Sequence, residues 1–233
     1  MNLCVIPARG GSKRIPKKNI RNFCGKPIIF YSIKAAIESE CFDKIIVSTD
    51  SKEISDVAKY FGIEAPFTRP SELADDYTET IPVIKHAIEW FEHKGHFPDS
   101  VCCLYPTAPF IQSKTIQSAF NKLLNSKVDY CLTATTFPYP IQRAIRLTEN
   151  KKISMFYPEF YSTRSQDLVE SYHDAGQLYL GKASTWKSKK QLFSDESTAI
   201  ILPRHLVQDI DNFEDWKRAE LMYELLKSNG ELV

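Results

Sequence analysis

Four short apolar runs, the first three each followed by residues of helical period, constrain this chain more than any other feature. The runs are Leu3-Cys4-Val5-Ile6, Lys44 to Ser48, Val101 to Leu104 and Asp129 to Thr133. Between them, Ile29, Ile33, Ala36 and Ile37 recur at three- and four-residue steps, as do Ile54, Val57, Ala58 and Phe61. Ile84, Ala87, Ile88 and Phe91 repeat the pattern, and Ile116, Phe120, Leu123 and Leu124 follow it loosely. Such steps keep one helix face apolar, while a short β-branched run reads as a buried strand. Strand and helix in alternation require right-handed crossovers, hence a mainly parallel α/β sheet with helices on both faces. A short strand at Ile63 to Ala65, strands at Gly176 to Leu180 and Ala199 to Leu202, and a closing helix from Phe213 to Leu226 are also expected.

The rhythm breaks between Phe137 and Tyr172, where Pro138-Tyr139-Pro140 and Tyr157-Pro158 interrupt any long period. A loop of that length is uncommon inside a compact domain. The expectation is one domain over residues 1–233 with an arm at about 137–175 that makes a dimer contact or a ligand contact. Hydrophobic content of 43% against 25% charged and 12% aromatic residues suits a globular core. Six cysteines without C-x-x-C spacing read as reduced, small core residues, and five scattered histidines give no zinc pattern. With no membrane-spanning run and no secretory signal at the start, a cytoplasmic location is expected.

In parallel sheets the ligand lies beyond the carboxyl ends of the strands. Three loops leave those ends: residues 7–19, 68–76 and 105–110. The first reads Pro-Ala-Arg-Gly-Gly-Ser-Lys-Arg-Ile-Pro-Lys-Lys-Asn. Adjacent glycines, Gly10 and Gly11, let backbone approach an anion, and Arg9, Lys13, Arg14 and Lys18 supply charge around it. A solvated basic turn and a nucleic-acid patch are the competing readings. Lys plus Arg total 30 against 29 for Asp plus Glu, so no basic face favours nucleic acid. Neither a Walker spacing nor G-x-G-x-x-G follows the strand.

Two acidic stretches admit a structural and a functional reading. Asp50 and Glu53 fit a capping box opening the helix at Ile54, so Asp50 is expected to be an N-cap. Asp209 and Asp211, one residue apart, project to one side of an extended backbone and so suit Mg²⁺, but Asp211 with Glu214 fits a capping box equally.

Pro7 to Asn19, Arg69-Pro-Ser-Glu-Leu-Ala-Asp-Asp76 and Gln208-Asp-Ile-Asp-Asn-Phe-Glu-Asp-Trp216 together resemble the cytidylyltransferases that activate acidic sugars, the CMP-sialic acid synthetase family. The likeness covers nearly the whole chain. It implies a Rossmann-like sheet, a protruding dimerisation insertion and Mg²⁺-dependent conversion of CTP and an acidic nine-carbon sugar to a CMP-sugar and pyrophosphate, for surface or flagellin glycosylation. The partners implied are CTP, the sugar and a second copy of the chain, with neither nucleic acid nor membrane. Arg9 and Lys18 take the places of the catalytic cations, with Ala8, Gly10, Gly11, Ser12, Asn19, Arg69, Thr78 and Thr80 in the nucleotide set. The metal-site aspartates fall on Asp209 and Asp211, the latter counted as catalytic. Sialic-acid members commonly have glutamine at the position of Tyr105, and Asn-Gly where this chain has His173-Asp174-Ala175-Gly176. With the stretch from Ser162 to Ala183, these differences favour the branch whose sugar is pseudaminic acid, and Tyr105, Arg164, Gln166, His173 and Tyr179 form the expected sugar set. The alternatives are the same reaction on a sialic, legionaminic or eight-carbon ulosonic acid, and a nucleotide-binding regulator without turnover.

Overall fold

The computed structural model describes residues 1–232. Strands are β1 (Asn2–Pro7), β2 (Asn22–Phe23), β3 (Lys26–Pro27), β4 (Lys44–Ser48), β5 (Ser100–Leu104), β6 (Tyr130–Thr136), β7 (Ile145–Leu147), β8 (Ile153–Met155), β9 (Tyr172–Lys182) and β10 (Ser197–Ile201). Helices are α1 (Ile29–Ser39), α2 (Lys52–Tyr60), α3 (Thr80–His93), α4 (Ser113–Leu124), α5 (Ala183–Lys187) and α6 (Phe213–Ser228).

Six strands form one sheet in the order β10-β6-β9-β5-β1-β4. β1 pairs in parallel with β4 and β5, and β10 with β6, whereas β9 runs antiparallel to both its neighbours. The sheet is thus mainly parallel, as expected, with β9 bridging its two parallel halves. Strand alternation sorts side chains to two faces. Cys4, Ile6, Cys102 and Leu104 meet α1, α2 and α4, while Leu3, Val5, Val101 and Cys103 meet α3 and α5. Helices therefore cover both faces. A third cluster packs α6, through Trp216, Ala219 and Tyr223, on Ile15, Phe23 and Tyr31. The six cysteines are free, four of them buried.

Three expectations change. Residues 63–65 form no strand; a lone parallel bridge joins Ile46 to Glu64. The resumed strand is longer, Tyr172–Lys182, and its upstream end pairs with the end of β6. The interruption contains its own two-stranded hairpin, β7 with β8, whose residues Ile145, Leu147 and Ile153 are 55%, 70% and 68% exposed.

Candidate functional site

Where β1 ends, the chain turns into the basic loop and opens a cleft of about 460 Å³. Arg9, Ser12, Lys18, Asn19, Arg69, Thr78, Thr80 and Tyr105 line it, together with Lys13, Arg14, Asp76 and Glu79. The three loops expected to converge do so, because β1, β4 and β5 are parallel neighbours and deliver their carboxyl ends to one edge.

Internal bonds hold the loop's shape. Asn19 is buried and donates its side-chain amide to the Arg9 carbonyl at 2.9 Å. The Gly10 N–H donates to Asp50 Oδ1 at 2.8 Å. Asp50 is therefore not the cap of α2: the Ser51 hydroxyl accepts from the Ile54 N–H, and Asp50 fastens the basic loop to the end of β4. Of the two glycines only Gly10 is in a tight place, since a Cβ there would stand 3.0 Å from Ser51 Cβ, whereas one on Gly11 would meet nothing within 4 Å. Lys17, at φ 56°, turns the chain so that Lys18 faces inward.

The cations already have carboxylate partners. Arg9 donates to Asp76 Oδ1 at 2.6 Å and to the Asp75 carbonyl at 2.7 Å, and Lys13 pairs with Asp76 Oδ2 at 2.5 Å. The hydrogen bonds from Lys13 and Arg9 hold the Asp76 carboxyl below its usual range. Asp76 thus places an anion between two cations, where a phosphate group would fit. Thr78 is turned toward its own loop, donating to Asp75 Oδ1 at 2.7 Å. Arg69 is buried against β4, bonded to the Ser48 hydroxyl at 3.1 Å and to the Ser48 carbonyl. Burial lowers its pKa to about 10, with the Asp50 charge opposing the shift, so it stays a cation at neutral pH. Its guanidinium clamps the central loop to the sheet.

On the opposite side lies the segment before α6. The cap of that helix is Asn212, whose side chain accepts from the Glu214 and Asp215 N–H groups at 2.8 and 3.0 Å. Asp215 closes the box by accepting from Asn212 N–H and also from Asp211 N–H. The Asp211 carboxylate, released from capping, accepts from Arg14 at 2.8 Å, with Lys18 Nζ 3.9 Å away. Lys18 donates to the Ile210 carbonyl at 2.7 Å. Burial pulls the Lys18 pKa down, while Asp211 and Asp209 push it back up. At Asp209, desolvation and then the charge of Asp211 raise the carboxyl's pKa.

Among the described residues no cluster of three or more His, Cys, Asp or Glu forms a metal cage. Two carboxylates nevertheless fit Mg²⁺, which keeps several waters and takes one or two carboxylates plus substrate phosphates. The mutual repulsion at Asp209 and Asp211 is what a divalent cation relieves.

The sugar set is not brought together. Tyr105 lines the cleft, with its hydroxyl 2.7 Å from that of Thr80, and Tyr179 is buried behind it, donating to Asp174 Oδ2. His173 instead packs edge-on against Phe137, and its ring bonds the Asp174 carbonyl. Arg164 is exposed in the arm and bonded at 2.7 Å to Asp167, and Gln166 is exposed beside it; neither lines the cleft. Residues absent from the expected set include Asp50, Asp76, Asn212 and Gln177. Gln177 is buried and donates at 2.6 Å to the Leu206 carbonyl, tying β9 to the segment that leads to Asp209. The partners of Asp50, Asp76 and Gln177 lie 40, 67 and 29 positions away, so local spacing gives no signal of those contacts, whereas Asn212 caps its own helix and its spacing from Asp215 is open to reading.

A cation-lined cleft at the carboxyl edge of an open α/β sheet, faced by two carboxylates, is the layout of a nucleotidyltransferase. CMP:2-keto-3-deoxy-manno-octonic acid synthetase, solved with CTP, shares the fold at a TM-score of 0.69 and 14% identity, over 96% of this chain and 98% of that one. The family model for cytidylyltransferases matches residues 3–179, and the chain belongs to that family. It is 45% identical to the pseudaminic acid cytidylyltransferase of Campylobacter jejuni subsp. jejuni serotype O:2, over 96% of this chain and 97% of the relative. It is 33% identical to the CMP-N,N'-diacetyllegionaminic acid synthase of Legionella pneumophila subsp. pneumophila, over 96% of each chain.

Proposed function

We propose that this chain transfers CMP from CTP to the anomeric hydroxyl of pseudaminic acid, giving CMP-pseudaminic acid and pyrophosphate. The observation that carries the reading is 45% identity, spread over nearly the full length of both chains, to a pseudaminic acid cytidylyltransferase. The geometry supplies the chemistry. The sugar hydroxyl attacks the α-phosphorus and the bond to the β-phosphate oxygen breaks, so negative charge accumulates on the pyrophosphate. Catalysis of this kind is mostly positioning and charge neutralisation. Arg9 and Lys13 hold an anion between them, and Lys18 stands between that pair and the acids. CTP would take the place of Asp76, so the central loop shifts as the triphosphate enters.

Asp209 and Asp211 would hold Mg²⁺, which when bound neutralises phosphate oxygens and acidifies a nearby hydroxyl. Arg14, paired with Asp211 in this structure, would be the cation nearest to those acids available to the leaving pyrophosphate. A homodimer built through the arm is part of the same proposal, supported by the exposed apolar residues of β7 and β8. A cytoplasmic location accords with consumption of CTP and with six free thiols.

Pyrophosphate release from CTP and Mg²⁺ with pseudaminic, N,N'-diacetyllegionaminic, sialic and eight-carbon ulosonic acids tests the reading. The highest kcat/KM is expected on pseudaminic acid, and preference for another of these sugars overturns the specificity. If CTP is consumed with none of them, the catalytic reading falls.

A further inference from the structure

The segment from Leu202 to Asn212 joins β10 to α6 and carries Asp209 and Asp211, yet its only regular structure is a single 3₁₀ turn, Arg204–Leu206. Side chains from elsewhere hold it at every fourth carbonyl. The Thr135 hydroxyl on β6 donates to Leu202 at 2.8 Å, the Gln177 amide on β9 to Leu206 at 2.6 Å, and Lys18 of the basic loop to Ile210 at 2.7 Å. Leu202 and Ile210 are held a second time. The Leu202 N–H donates to the Ala134 carbonyl at 2.8 Å, and the Ile210 side chain is buried in the cluster that contains Ile15 and Trp216. Leu206 is only partly buried, and Gln177 is the side chain that ties it to the sheet.

Gln177 is 3% exposed, and only its amide nitrogen can face a carbonyl, so its orientation is fixed. Among the described residues, no group donates to its Oε1. A buried acceptor without a donor opposes stability, and an apolar side chain of similar size would carry no such cost. What the glutamine adds is the position of Leu206, whose carbonyl stands at the end of a helical turn, where internal donors run out. The main chain of the same residue reaches another wall of the cleft, since the Gln177 carbonyl accepts the Tyr105 N–H at 2.9 Å. Asp209 lies between the anchors at Leu206 and Ile210, and Asp211 between Ile210 and the cap of α6. Slack at Leu206 therefore reaches Asp209 first.

We propose that Gln177 is a positioning residue for Asp209: by holding Leu206 against β9 it sets where that carboxylate stands beside Asp211, and so how tightly the two take a divalent cation. This rests on the Mg²⁺ reading of Asp209 and Asp211.

Gln177→Leu removes the amide and keeps the bulk. Mn²⁺, which suits the same carboxylate and water ligands as Mg²⁺, is titrated into CTP-free protein and followed by the paramagnetic resonance of the free ion. Its Kd is expected to rise by about tenfold, the lower end of what loss of an outer support costs a metal site. CTP affinity, measured calorimetrically in EDTA, is expected to hold. In turnover the Mg²⁺ concentration for half-maximal rate should rise likewise, with the sugar KM at saturating Mg²⁺ unchanged, because the main-chain bond to Tyr105 is kept. In an Asp209→Ala background the same substitution should weaken Mn²⁺ binding less than it does in the wild type, since both act through one carboxylate. An unchanged Mn²⁺ Kd in folded Gln177→Leu overturns the proposal, as does an equal loss of metal-free CTP affinity or full additivity with Asp209→Ala. If Gln177→Leu does not fold, Gln177→Met, unbranched and of similar length but without a donor, is read in the same way. If the wild type takes up no Mn²⁺, the metal reading of the two acids falls and this inference with it. If the wild type binds Mn²⁺ and the variant matches it, only the inference falls.

Discussion

Gly10 and Gly11 are adjacent in sequence but differ in what they require. Neither takes a left-handed backbone, so the constraint is space alone. Crowding against Ser51 makes Gly10→Ala an overpacking change, expected to cost about 1 kcal/mol or more and to lower the thermal midpoint. Gly11→Ala meets nothing and should leave the midpoint where it is. Thermal unfolding of the two variants checks both, and equal effects would refute the assignment. Lys18 is the other decisive residue, because it touches the Ile210 carbonyl and faces Asp211 from within the cleft lining. Lys18→Ala should lower kcat/KM for CTP by roughly 10² to 10³, the range for losing a charge aimed at a reacting phosphate. Steady-state kinetics on protein shown to be folded reads this directly. The family resemblance chose Lys18 over Lys13, and in three dimensions the two differ: Lys13 is 80% exposed and paired with Asp76, whereas Lys18 is turned inward toward the acids.

At the scale of the element, the start of α6 separates a structural acid from one free for ligand. Asn212→Ala removes a side chain that accepts two backbone N–H groups and should cost about 1 kcal/mol. Asp211→Ala breaks a pair with Arg14, a side chain 68% exposed, and a longer one of 3.9 Å with Lys18, each worth about 0–1 kcal/mol. The expected outcome is a larger fall in denaturant midpoint for Asn212→Ala, and loss of Mg²⁺-dependent turnover with little unfolding for Asp211→Ala. The opposite ranking would restore Asp211 as the cap. Local spacing left this open, since an acid three residues before a glutamate and an asparagine three before an aspartate are both acceptable boxes. The helix selected Asn212, and the same one-residue shift occurs at α2, where Ser51 caps in place of Asp50.

For the whole molecule, the arm and the buried tyrosines give two further expectations. Ile145, Leu147 and Ile153 present apolar side chains on a hairpin that packs on no core of its own. Replacing all three by serine should shift the protein from dimer to monomer in sedimentation, and a wild type that already sediments as a monomer would remove the proposed contact. Tyr105 and Tyr130 have pKa values pushed to about 12, chiefly by burial, from an ordinary value of 10.0. The fold favours their protonated forms, so between those values the native state holds more protons than the unfolded chain. This contribution is complete below pH 10 and is lost as pH rises toward 12. Unfolding midpoints followed across that range with tyrosinate absorbance should fall together with the onset of ionisation.

The sequence by itself determined the alternating strands and helices, the two-sided packing of the sheet and the basic loop at the end of β1. Each of these follows from local periodicity or from a glycine-bearing turn, signals that need no distant partner. Only the tertiary structure decided that Asp50 and Asn19 brace that loop, that Asp76 sits between Arg9 and Lys13, and that β9 runs against its neighbours. It likewise left Gln166 and Arg164, the latter paired with Asp167 in the arm, outside the cleft lining, and it placed Tyr105 beside Thr80 and Tyr179 against Asp174. Most of those contacts join residues tens of positions apart, and which partner a charge or hydroxyl finds depends on how the strands are ordered. Periodicity fixes each element, but strand order decides which loop ends meet.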